Sequence, residues 1–439
     1  MTRPVVISGL GPVCGLGLGI DALWEQACAG ASAIAPVSAF DASDFKCPYG
    51  AEVSDFSVRN FVPKTYRKAT KVMARDIEFA VACADLAARD AGLQTKGTAE
   101  GDERSYASAR MGAHIGAGLI AADVNELTMA MAESVDDGGT FDMHQWGREG
   151  MQRLTPLWLL KYLPNMLACH VTIIHDTHGP SNTITCSQAS GLLSVGESLR
   201  VIQRDDADLC FCGGAESRVN PLGMLRQEYL RLTTDASSTP PDEVVRPMDR
   251  DATGTVVGEG GAILILEAED DYKQRTDKPA YARITGFAAS QTVHPAKHNR
   301  EPHPGGSANR RAIERALADA GLVADDIDLI VPGACGTPAF DQAEAEALRR
   351  VFGDRLARLP VLGHKALLGE CFAGSGAIDL AIAAVALAHQ KVPAIVNRNN
   401  PLPGISGNAP ARETPLRHAL VCGSSVGGQN AAIVLSQAS

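Results

Sequence analysis

One short pattern occurs twice along this chain, and it constrains the possible folds more than any other feature. Ala84-Asp85-Leu86-Ala87-Ala88-Arg89-Asp90-Ala91-Gly92-Leu93 has a counterpart in Arg315-Ala316-Leu317-Ala318-Asp319-Ala320-Gly321-Leu322. Further on, Asp208-Leu209-Cys210-Phe211-Cys212-Gly213-Gly214 is echoed by Ala419-Leu420-Val421-Cys422-Gly423. Two matches in the same order imply an internal duplication, with halves 1–250 and 251–439 meeting near residue 250. At about 150 residues per domain as a prior, a chain of 439 residues has room for such a pair.

The local signals agree. Val5-Val6-Ile7-Ser8-Gly9 has the composition of a buried strand ended by glycine. Asp76 to Gly92 predicts a helix with a small apolar face and a glycine stop, and Met111 to Gly116 predicts the next strand. Strands alternating with helices imply crossover units and a sheet rich in parallel pairs. The polar, Met-containing segment 121–155, with Met129, Met131, Met143 and Trp146, predicts helix plus loop in a cap or interface role.

Charge and cysteine usage narrow the function classes. A net charge of −11 argues against a nucleic-acid surface, which needs clustered Lys and Arg. It also weakens attraction to anionic membranes, and no uninterrupted apolar run reaches roughly 18 residues, so no membrane span is expected. The N-terminus lacks the pattern of a signal peptide. Eleven cysteines, an odd number without zinc-site spacing, fit free thiols in a cytoplasmic protein. Cys210 and Cys212 alternate along an apolar run and should share a buried strand face. His294, His298 and His303 fall among prolines and glycines in a loop, and neither metal nor cofactor is expected. Arg67, Lys68, Lys71 and Arg75 form either a docking patch for an acidic partner or an ordinary helix surface.

Chemistry concentrates in three places. Gly179-Pro180-Ser181 leads through Cys186-Ser187-Gln188-Ala189-Ser190-Gly191 into a helix from Leu192 to Gln203, then to Gly213-Gly214-Ala215-Glu216. A strand turning sharply into a helix aims backbone N–H groups at one spot, which suits oxyanion stabilisation. Ala334-Cys335-Gly336-Thr337-Pro338 precedes Asp341 and Glu344, and Lys365 precedes Leu368-Gly369-Glu370-Cys371 and Gly374-Ser375-Gly376-Ala377. Arg246-Pro247-Met248-Asp249, Gly258-Glu259-Gly260-Gly261-Ala262, Val392 to Asn397 and Gly427-Gly428 complete the set.

Together these motifs resemble the β-ketoacyl synthase (ketosynthase) family of the thiolase superfamily over nearly the whole chain. The resemblance implies an α/β thiolase-like fold whose duplicated halves form a five-layer αβαβα sandwich. It assigns the nucleophilic cysteine to Gln188, the two catalytic histidines to Cys335 and Glu370, and the conserved lysine to Lys365. The aromatic gate of the C-terminal glycine loop becomes Ser424 and Val426. A carboxamide forms no thioester, and a glutamate sets negative charge where an enolate develops. Cys186, two residues before the turn, is either a shifted nucleophile or a buried strand thiol. Lys365 is expected to neutralise Glu370 as a buried pair.

The expectation is therefore a chain length factor: a ketosynthase-like subunit that does not condense, pairs with an active ketosynthase and bounds the acyl-chain tunnel in polyketide, polyene or specialised fatty-acid biosynthesis. An acyl carrier protein is the implied further partner. Three alternatives stand beside it. They are an acyltransferase or malonyl-carrier decarboxylase with an atypical site, new chemistry built from Cys335, Lys365 and Glu370, and a non-catalytic homodimeric binding protein.

Overall fold

The computed structural model describes residues 3–236, 239–298 and 300–438. Its principal elements in chain order are β1 (Val5–Cys14), α1 (Arg75–Asp90), β2 (Met111–Gly116), α2 (Met166–His175), β3 (Ser181–Ile184), α3 (Ser190–Gln203), β4 (Leu209–Ser217), α4 (Pro221–Tyr229) and β5 (Val257–Ala268). There follow β6 (Ala282–Gln291), α5 (Ser307–Ala320), β7 (Leu329–Val331), α6 (Pro338–Phe352), α7 (Ser375–His389), β8 (His418–Ser424) and β9 (Gln429–Ser436).

Strand order shows the duplication directly. One run is β3-β2-β4-β5-β1, with the first two pairings parallel and the next two antiparallel. The other is β7-β8-β9-β6, with one parallel pairing and then two antiparallel ones. A parallel bridge from Val361 to Ile330 stands where β3 stands beside β2. The two runs join where Val5–Ile7 pairs antiparallel with Ala282–Ile284. Because β5 lies beside β4 and β1, as β9 lies beside β8 and β6, we place the join between the halves after Ala268. That is downstream of the division near residue 250 expected from sequence.

The central strands β1, β2, β4 and β5, like β9, bury both faces, and the period-2 alternation sorts their side chains into different layers. In β5, Ile263 and Ile265 pack outward against Phe79, Ala80 and Val171 from α1 and α2. Leu264 and Leu266 pack inward with Leu192, Val195 and Leu199 of α3 and Ile378 of α7. In β9, Ile433 and Leu435 join that inner core, while Val434 meets Ile313 of α5 and Leu348 of α6. The order is α1/α2, sheet, α3/α7, sheet, α5/α6: five layers, as the resemblance implied. Cys210 and Cys212 both face the inner core. The middle position explains why α7 is apolar all round, since no face meets water. The 18-residue stretch Phe372–His389 is apolar enough to pass a membrane-span test, but 89% of it is buried inside the protein.

β1 is longer than the sequence suggested, because Gly9 does not end it. A Cβ at Gly9 would lie 2.4 Å from the Ala87 carbonyl oxygen, and one at Gly11 2.0 Å from that of Cys83. These glycines let α1 pack directly on the strand. α1 begins at Arg75, whose guanidinium pairs with Glu259 at 2.6 Å, so Arg75 is not part of a free basic patch. Arg67, Lys68 and Lys71 are exposed on the short helix Lys64–Val72. Segment 121–155 holds the helices Val124–Ala132 and Met143–Arg148, as expected. From Leu119 to α2 the surface carries large exposed apolar side chains, among them Leu119, Met129, Met143, Met151, Leu157 and Leu159. β3 is the last strand on this side, and no other strand among the described residues pairs with its outer edge.

Candidate functional site

Two turns of the same construction face the site, one from each half. After β3 the chain passes Ser187 at φ 50°, makes one tight turn over Ser187–Ala189 and enters α3 at Ser190. In the second half Phe372 takes φ 49°, Phe372–Gly374 form the tight turn, and α7 starts at Ser375. The serine at each helix start holds its turn: the Cys186 N–H donates to Ser190 Oγ at 2.7 Å, and the Cys371 N–H to Ser375 Oγ at 2.9 Å. A positive φ at Ser187 and at a bulky Phe is strained, and strain of this kind collects at functional turns. Cys186 lies beyond the end of β3 and is half-buried, so it is not the buried strand thiol that one reading offered.

Gln188, Cys335, Glu370 and Ser424 line one cavity, together with Gly333, Glu344 and Phe372. Its volume is about 20 Å³, enough for about one water. Lys365 lines an adjoining recess with Gln188, Glu370 and Asp379. Residues far apart in sequence thus meet as the motifs required, with one exception. Val426, half-buried in the turn between β8 and β9, lines neither space. Ser424 Oγ accepts from Asn309 Nδ2 at 2.6 Å and donates to Asn430 Oδ1 at 2.8 Å.

The expected Lys365–Glu370 pair does not form. Lys365 Nζ donates to Asp379 Oδ2 at 3.0 Å, and His364 Nε2 lies 2.5 Å from Asp379 Oδ1, all three side chains being buried. Burial alone would raise the Asp379 carboxyl, yet Lys365 and His364 together hold it below the usual range. Glu370 Oε1 instead accepts from the Phe372 N–H at 2.8 Å and from the Ser375 hydroxyl. Burial pushes the Glu370 carboxyl up, with nearby Lys365 opposing. The lysine takes the acid one helical stretch away because Glu370 is already tied to its own turn.

Cys335 is no activated nucleophile. Burial is the largest influence raising its thiol, and Glu370 and Asp341 raise it further. Lys365, the nearest cation to it, is bound to Asp379. The thiol lies 3.4 Å from Thr337 Oγ1, and the Cys335 and Gly336 N–H groups donate to Asp341 at 3.1 and 3.0 Å. Gln188 Oε1 is buried and has no hydrogen-bond partner among the described residues. Among the described residues the site brings together a buried thiol, a carboxamide and a carboxyl group, and no imidazole lines it.

Sequence reasoning missed two residues here. Asp379 had a signal, a lone carboxylate in the apolar run 377–387. Gly333 carries no functional group, yet its N–H donates to Glu344 at 3.0 Å and it lines both spaces.

Comparison with known proteins follows the same lines. The family model for the N-terminal domain of β-ketoacyl synthases matches residues 2–271, and that for the C-terminal domain residues 281–399. The chain is 29% identical to a 3-oxoacyl-[acyl-carrier-protein] synthase 2 of Coxiella burnetii, over 99% of each chain. It is 30% identical to the tetracenomycin polyketide synthase ketoacyl synthase beta subunit of Streptomyces glaucescens, over 98% of each. Among solved structures, the ishigamide ketosynthase/chain length factor superposes with a TM-score of 0.82 at 25% identity, and a β-ketoacyl synthase from Burkholderia phymatum with 0.84 at 25%, both over the full length of each chain. In motif, topology and overall likeness alike, this chain belongs to the β-ketoacyl synthase family.

Proposed function

We propose that this chain is the chain length factor type of family member: it does not condense, pairs with an active ketosynthase and shapes the space in which an acyl chain grows. The observation that carries this reading is the site itself. Gln188 stands at the tip of the turn, Cys335 and Glu370 stand where the resemblance places the histidines, and the cavity between them has room for about one water. A thioester-linked acyl group has neither an attachment point nor a volume there.

The outer edge of β3 and the apolar side chains from Leu119 to Leu159 support the pairing. An unpaired edge beside a large apolar patch is the usual mark of a partner surface. The beta-subunit relative and the ketosynthase/chain length factor structure point the same way. An acyl carrier protein is the proposed further partner, met by exposed Arg67, Lys68 and Lys71. Eleven free cysteines suit a reducing, cytoplasmic setting.

Co-expression with an active ketosynthase tests the reading. The expected result is a stable one-to-one complex, with condensation lost when the partner's nucleophile is replaced and retained when Gln188 is. Radiolabelled malonyl- or acyl-carrier should leave this chain unlabelled; covalent label on Cys186 or Cys335 overturns the proposal.

A further inference from the structure

Methionine is spread unevenly over this surface. Met129, Met131, Met143 and Met151 are 57%, 41%, 69% and 55% exposed. Elsewhere Met73, Met111, Met224 and Met248 are buried, and Met166 is half-buried. Among the described residues, every exposed methionine thus falls between 129 and 151, inside the apolar surface proposed above for a partner. A flexible, polarisable thioether adapts to an irregular partner, as methionine-rich binding surfaces do.

The segment carries these side chains on a platform that holds itself together. Helix Val124–Ala132 buries Ala130 alone, and helix Met143–Arg148 buries none of its residues. Between them Val135 bridges antiparallel to Phe141, the Asp142 N–H donates to Ser134 O at 2.7 Å, and the Ser134 hydroxyl donates to Ala130 O at 2.6 Å. Asp123 and Asp142 cap the two helices. The four thioethers therefore meet solvent until another molecule covers them.

A thioether in water is a target for peroxide. The sulfur lone pair attacks one peroxide oxygen and the O–O bond breaks. The departing oxygen takes the proton of the transferred one and leaves as water, so sulfur is oxidised by two electrons and peroxide reduced by two. The sulfoxide is polar, and burying it against an apolar partner strands an acceptor without a donor.

We propose that segment 129–151 is a reversible oxidation site: peroxide converts the exposed methionines of the unpaired chain to sulfoxides, and the oxidised chain no longer takes its partner. The inference rests on the chain length factor reading and adds a control on pairing. Pairing and oxidation exclude each other, since the partner that covers the thioethers also keeps peroxide from them.

To test this, the purified full-length chain is treated with hydrogen peroxide, the excess is destroyed with catalase, and the chain is titrated with the active ketosynthase of the co-expression experiment. Peptide mass spectrometry should place the first sulfoxides in 129–151, and pairing should weaken at least about tenfold, the effect of one buried acceptor left unsatisfied. Methionine sulfoxide reductases A and B should restore it. A variant combining Met129→Leu, Met131→Leu, Met143→Leu and Met151→Leu nearly conserves volume and keeps the half-buried thiols of Cys28, Cys169 and Cys186. Its pairing, whatever its strength, should not change on treatment. Wild-type pairing that peroxide leaves unchanged, or a loss that the leucine variant shares, overturns the inference. Should the variant not pair, repair by the reductases decides. An untreated chain that finds no ketosynthase takes the chain length factor reading down as well, whereas pairing indifferent to peroxide removes this inference alone.

Discussion

Replacing Asp379 by Leu should be among the most damaging single changes in this protein. Asp379 is buried inside α7 and is the acceptor for both Lys365 Nζ and His364 Nε2. Its loss leaves a buried ammonium group without its hydrogen-bonded anion, with Glu370 as the nearby carboxyl. Breaking one side of a buried ion pair costs about 3–5 kcal/mol, of which most is the charge left behind. Lys365→Met should cost a similar amount, because it leaves the carboxylate with His364 alone. The double variant Lys365→Met, Asp379→Leu should lose much less than the sum. What remains is about 1–3 kcal/mol for the His364 N–H deprived of its acceptor. Urea unfolding of the four proteins, followed by circular dichroism and by the fluorescence of the three tryptophans, closes the cycle. The expected coupling exceeds about 3 kcal/mol. Additivity within about 0.5 kcal/mol would refute the pair as described, since independent sites behave that way.

Other outcomes follow from the same geometry. Gln188→Cys should bring no condensing activity, because the cavity of about 20 Å³ admits no acyl group and no imidazole stands beside it; acyl transfer by this variant alone would contradict that. Under native conditions iodoacetamide should modify no cysteine beyond the half-buried Cys28, Cys169 and Cys186. Peptide mass spectrometry showing early modification of Cys335 would contradict its burial. Glu344 is held up to about 7, above its unfolded value of about 4.3, so its stabilising share is full below that value and is lost as pH rises through about 7. Glu344→Gln should therefore be more costly at pH 5 than at pH 8.5, and a penalty that grows with pH would reverse the assigned sign.

The sequence carried the scaffold well and the pairings within it less well. Met111–Gly116 and the body of α1 were legible because a strand's apolar run and a helix's Ala/Leu face are local signals. β1 was cut short at Gly9 because glycine ends some strands and elsewhere admits a helix close to the backbone, and only the neighbour distinguishes the two. The meeting of Gln188, Cys335 and Glu370 was legible through motifs in a known order, since no local pattern links residues so distant. Which acid Lys365 faces was not legible. Glu370 is nearer in sequence, but its carboxylate is held by the Phe372 N–H and the Ser375 hydroxyl of its own turn. Cavity size, which decides whether a substrate fits, depends on how Phe372 and Ser424 pack and has no sequence signal at all.

In both halves the hydroxyl that secures the turn comes from the first residue of the helix, Ser190 or Ser375, and not from the residue at the tip. The mount and what it carries are separate. A change of the residue at the tip therefore leaves the hydrogen bond that fixes the turn in place.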